Sequence, residues 1–89
     1  MKYKGYKLVQ TCGACPEQYD VFEGENEVGY LRLRHGCFTA RAGGPGGPVV
    51  YKTNTVKGSG MFEPEERTNM LVIAIDMIDE YYRAMEGRR

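Results

Sequence analysis

Hydrophobic and polar positions alternate in short runs up to residue 60 and then switch to a helical period. Lys2–Gln10 is rich in Tyr, Leu and Val and alternates from Tyr6 through Leu8, as a half-buried strand does. A turn-like Thr11–Pro16 leads to a second strand at Gln18–Phe22. Gly24-Glu25-Asn26 closes a hairpin into Glu27–His35, and Gly36 turns the chain again into Cys37–Ala42. The run Gly43–Pro48 cannot be a strand interior, because it is built from glycine and proline. Val49–Thr55 resumes as a β-branched fifth strand. Strand-sized runs every eight to twelve residues, parted by short turns, predict an antiparallel meander.

From Glu63 the spacing is helical. Pro64 suits the first helical position, and Glu63, Glu65 and Glu66 place negative charge at the positive end of the helix dipole. Leu71, Ala74, Ile75, Ile78, Tyr82 and Met85 form one apolar stripe, which predicts a helix over 64–86 that stops near Gly87. Arg83, Arg88 and Arg89 fall at its favourable C-terminal end. A second stripe runs beside the first through Met70, Ile73, Met77, Tyr81 and Ala84, so apolar residues cover about 200° of the circumference. Either a curved sheet wraps the helix far round, or Met70, Ile73, Met77 and Tyr81 meet a second copy. We expect a homodimer or higher oligomer through those four residues. The fold class is α+β: a single domain over 1–89, with about five antiparallel strands and one C-terminal helix packed on one face of the sheet.

Composition narrows the classes of function. The 89 residues are 42% hydrophobic and 27% charged, which is globular rather than disordered. No apolar run approaches the roughly 20 residues of a membrane span, and Met1-Lys2-Tyr3-Lys4 does not open like a signal peptide, so a cytoplasmic protein is expected. Twelve basic and twelve acidic residues cancel, against a crude polycationic nucleic-acid binder. The charges are segregated all the same. No acid occurs between Glu27 and Glu63, a stretch that holds Arg32, Arg34, Arg41, Lys52 and Lys57. Alternation sends Leu31 and Leu33 to one face and Tyr30, Arg32 and Arg34 to the other, with Cys37, Thr39 and Arg41 as a similar polar set beside them.

Two arginines beside tyrosines offer a bidentate fork for phosphate and a stacking surface for a base. A solvated polar face is the plain alternative. The expected ligand site is Tyr30, Arg32, Arg34, Arg41, Tyr51 and Lys57, with Lys57-Gly58-Ser59-Gly60 as a donor-rich loop before the helix. The ligand would be a small phosphate-bearing nucleotide or similar anion. Cys12, Cys15, His35 and Cys37 are the composition of a zinc site, though His-x-Cys is tighter than usual spacing and a turn at Gly36 would break the pair. The alternatives are a redox pair and three reduced thiols of a cytoplasmic protein, and no cofactor is expected. No nucleophile elbow, His-x-x-x-His pair or paired strand carboxylates occur, and we expect a protein that is not an enzyme.

In the segments Glu17–Val21, Gly29–Gly36 and Gly60–Arg67, the chain resembles short uncharacterised proteins of bacteriophages and prophages. That resemblance implies a small accessory protein that counters host defence. One such mechanism is sequestration of a nucleotide immune signal, as sponge proteins do. The other is occlusion of a host protein, as anti-CRISPR proteins do. A zinc-stabilised nucleic-acid module is the third reading.

Overall fold

The computed structural model describes residues 1–12 and 16–86. Six antiparallel strands follow one another in sheet order as in sequence: β1 (Lys2–Tyr3), β2 (Tyr6–Cys12), β3 (Glu17–Glu23), β4 (Asn26–Arg34), β5 (Cys37–Ala42) and β6 (Val49–Thr53). One helix, α1 (Pro64–Glu86), lies across one face. The expected α+β meander is therefore present, with six strands rather than five. The extra strand comes from Lys4 and Gly5, whose φ angles of 56° and 84° fold the first run back on itself between the paired Tyr3 and Tyr6. Positive φ at both central residues is the two-residue hairpin turn that matches strand twist. The fifth predicted strand ends at Thr53 instead of Thr55, where the Thr53 hydroxyl accepts a hydrogen bond from the Thr55 amide at 3.3 Å and competes with the ladder. Gly87, Arg88 and Arg89 lie outside the described residues.

Register shifts interrupt the pairing at Gln10/Cys12, Val21/Phe22 and Ala40/Arg41. Such bulges bend and twist a sheet, here around a single helix. Leu8, Val21, Leu31, Leu33, Phe38 and Ala40 close on Leu71, Ala74, Ile75 and Ile78, all buried. Gly29 sets how closely the helix can sit. A Cβ there would lie 2.5 Å from Ile78 Cδ1, 3.2 Å from Val21 Cβ and 3.3 Å from the Arg41 carbonyl oxygen, so a larger residue would have to push the Ile78 side chain aside. The helix is also tied down by polar bonds: Tyr6 donates to Asp79 at 2.8 Å, Tyr82 donates to the Val28 carbonyl at 3.0 Å, and Lys4 pairs with Asp76 at 2.9 Å. Asp76 and Asp79 are thus struts between helix and sheet.

The second helical stripe is partly absorbed. Met70 packs against the core, and Tyr81 meets Tyr82 edge-on at 5.2 Å. Met77 is half-buried and Ile73 is exposed. Among the described residues, no helix is long and apolar enough to cross a membrane.

Candidate functional site

The helix covers one face of the sheet, and the other carries the basic residues. Cross-strand partners place Gln18, Arg32, Thr39 and Lys52 in one row, and Asp20, Tyr30, Arg41 and Val49 in the next. Arg34 stands opposite Cys37 at the end of the β4–β5 hairpin. Tyr30, Arg32, Arg34 and Arg41 therefore share a face, as alternation predicts. The Tyr30 hydroxyl donates to Gln18 Oε1 at 2.7 Å, and Arg41 Nη1 donates to the Gly47 carbonyl at 2.8 Å, so Arg41 also holds the glycine-rich loop in place.

Tyr51 does not belong to this set. In-register pairing with the buried Ala40 puts it on the helix side, where its ring meets Phe38 edge-on at 6.3 Å. The expectation that Tyr51 stacks a base beside the arginines is corrected on that ground. Lys57 is displaced too, with its ammonium 3.4 Å from Glu65 Oε2. Two backbone donors of its loop are already taken. Glu66 accepts from the amides of Lys57 at 2.9 Å, Gly58 at 3.0 Å and Glu63 at 3.0 Å. Burial opposes the Glu66 charge, but these three amides hold its carboxyl below the usual carboxylate range. The protein's own carboxylate thus fills the nest that these amides form. A Cβ on Gly58 would fall 1.7 Å from the Met61 carbonyl oxygen, so the loop's tight path depends on glycine.

What the loop does form is a wall. The Gly36 amide donates to the Ser59 carbonyl at 2.6 Å, and the Glu17 amide donates to the Gly60 carbonyl at 2.7 Å. Ser59 and Gly60 are thereby stitched to the β4–β5 turn and to the start of β3. Between them lies a cleft of about 300 Å³ lined by Pro16, Arg34, His35, Ser59 and Gly60. That volume is at the small end of ligand pockets. His35 enters it from a turn, with φ of 54° followed by Gly36 at 75°. Arg34 brings a forked donor set, His35 an imidazole and Ser59 a hydroxyl, and none of the five lining residues is an acid.

Beneath the cleft sits a buried ion pair that sequence reading missed. Glu17 is 1% exposed. Its carboxylate accepts from Arg67 Nε at 2.8 Å, Arg67 Nη2 at 3.2 Å, the Phe62 amide at 3.0 Å and the Tyr19 hydroxyl. Burial alone would raise the Glu17 pKa, but the bonds from Arg67, Tyr19 and Phe62 outweigh it and hold the group below the usual range. Burial, with Glu17 beside it, pushes the Tyr19 hydroxyl up to about 12. The clamp joins β3, the 56–62 loop and the first turn of α1, and so fixes the loop that walls the cleft.

The zinc candidates are dispersed. Cys12 is on β2 and Cys37 on β5, three strand spacings or about 14 Å apart, so one ion with bonds of about 2.3 Å cannot take both. The turn at His35 and Gly36 breaks the same-face relation between His35 and Cys37. Cys15 lies outside the described residues, and among those described no three His, Cys, Asp or Glu residues gather. No protein-family model, curated protein or solved structure matches the chain.

Proposed function

We propose that this protein binds a phosphate-bearing nucleotide and holds it without transforming it. The observation that carries the reading is the acid-free cleft of Pro16, Arg34, His35, Ser59 and Gly60, whose Arg34 shares a strand face with Arg32. Arg34 provides the fork for a phosphate, Ser59 a further donor, and Pro16 and the His35 ring flat surfaces for sugar or base. Retention of a nucleotide signal is the sequestering role that the resemblance to phage accessory proteins implies.

Isothermal calorimetry with linear nucleotides, cyclic nucleotides and ADP-ribose tests this. Arg34→Ala is expected to weaken binding about 10- to 100-fold, since a hydrogen bond to a charged group contributes about 1.5–3 kcal/mol and 1.4 kcal/mol is tenfold. Arg34 is exposed at a hairpin end, so the fold should survive. No heat with any of these ligands, or unchanged affinity in Arg34→Ala, overturns the reading. A second reading, occlusion of a partner protein, draws on the row Asp20, Tyr30, Arg41 and Val49, to which Val9 adds through its pairing with Asp20. Val9 and Val49 are 39% and 46% exposed at its two ends. It requires a macromolecular complex and no ligand heat.

A further inference from the structure

We infer that the ligand of the cleft is one unit of a longer single-stranded nucleic acid, whose backbone continues across the outer faces of β4, β5 and β6. The inference rests on the nucleotide reading above and extends it from the cleft to the sheet. Arg34 and Arg32 are two residues apart on one strand face, about 6.8 Å along β4, and Lys52 stands two strands from Arg32, about 9.6 Å away. The three cations mark a path from the cleft mouth to the sheet edge. Thr39, between Arg32 and Lys52, lines that path with a hydroxyl able to donate and accept at base edges.

Two further observations point the same way. Arg32 Nε is buried with no hydrogen-bond partner among the described residues, a donor left without an acceptor at the centre of the path. An unpaired buried donor is costly, so the Arg32 guanidinium is under-satisfied in the free protein and gains when its side chain turns Nε out to a phosphate or base oxygen. The acids of this face lie toward β3: Asp20 stands opposite Tyr30, in the row beside Arg32, and Glu27 lies beyond it on β4. Burial, and then Asp20, raises the Glu27 carboxyl. A polyanion is repelled from the β3 side and guided toward β6 along the Arg34–Arg32–Lys52 line. Zero net charge does not oppose this, because single-strand binders need a local basic track with a stacking ring rather than an overall positive charge. Tyr30, in the row beside Arg32, is placed to supply that ring.

The test compares thymidine monophosphate with an oligothymidylate of about eight nucleotides, within the site sizes of single-strand binders. The oligomer should bind at least tenfold more tightly than the mononucleotide. Its affinity should fall with salt at a logarithmic slope near −2, from three phosphate contacts at about 0.7 each. Lys52→Gln should weaken the oligomer several-fold and flatten that slope by about 0.7, while leaving mononucleotide binding unchanged. Lys52 is exposed on an edge strand, so this variant should fold normally. Equal affinity for mononucleotide and oligomer, or an oligomer slope untouched by Lys52→Gln, overturns the extended track while leaving the cleft reading intact. Absence of binding by both ligands and by every nucleotide in calorimetry removes both readings.

Discussion

Arg67→Met is expected to destabilise the protein by about 3 kcal/mol, the lower part of the 3–5 kcal/mol range for breaking a buried ion pair. The lower part applies because the Arg67 side chain is 34% exposed and water can reach the vacated site, whereas Glu17 is fully enclosed. Without Arg67, the buried carboxylate keeps only the Tyr19 hydroxyl and the Phe62 amide as donors. A chain of 89 residues has a total stability of about 4–13 kcal/mol, so this loss is a large fraction of it. Urea denaturation should show a lower midpoint with an unchanged slope. Acid supplies a second readout. In the native protein the Glu17 pKa lies below its ordinary 4.5, so the stabilisation is fully present above that value and is lost as pH falls through the folded pKa. The gap between native protein and variant should therefore narrow as pH drops below about 4.5. Replacing both partners, as Glu17→Gln with Arg67→Met, should recover much of the loss, because no buried charge is then left uncompensated. An unchanged urea midpoint in Arg67→Met would show that the clamp contributes nothing.

Phe38→Ala should cost about as much by a different route, roughly 3–5 kcal/mol. Phe38 is wholly buried at the centre of an aromatic cluster, 4.9 Å from Phe62 at 75° and 6.3 Å from Tyr51 at 69°. Truncation removes two edge-to-face contacts and opens a cavity between β5, β6 and the loop before α1. At about 4–8 °C per kcal/mol for a domain of this size, the midpoint of thermal unfolding should fall by at least 12 °C or so. The effect should reach the cleft as well. Phe62 stacks on Phe38 while its amide bonds Glu17, and Glu17 in turn accepts nothing from Ser59 or Gly60 but anchors their loop through its own amide. A fall of less than about 4 °C would contradict the view of Phe38 as the keystone of this corner.

Much of the architecture was legible because local signals agreed with one another. Pro64, the first-turn acids and the Leu71–Ile78 spacing all mark the same helix, and its bounds match the structure. Cys37–Ala42 and the two-sided pattern of β4 were equally plain. The short β1 was not, since the turn that creates it places a lysine at positive φ, which residue identity does not favour. Tyr51 faces the core because it stands opposite Ala40, and that cross-strand register is set by the fold rather than by the strand's own sequence.

The candidate site was half legible. Arg32 and Arg34 followed from alternation, and the 57–60 loop from its glycines. That Glu66 would fill the loop's nest depends on tertiary placement. Two local clues to the buried clamp existed. Glu17 alternates with Tyr19 and Val21, which puts it on the core side of β3. Arg67 sits near the helix N-terminus, where a cation opposes the dipole unless an acid compensates it. Only the fold brings the two together across 50 residues.

The most direct measurement is an amide NMR titration of the protein with ATP. Binding in the cleft should shift His35, Gly36, Ser59 and Gly60 together, with the Arg34 side-chain Nε signal moving in step, while the Tyr6–Asp79 end of the molecule stays still. Absence of shifts at millimolar ATP, or shifts gathered instead at the lysine-lined hollow of Lys2, Lys4 and Lys7, would contradict nucleotide binding between the His35 turn and the Ser59 loop.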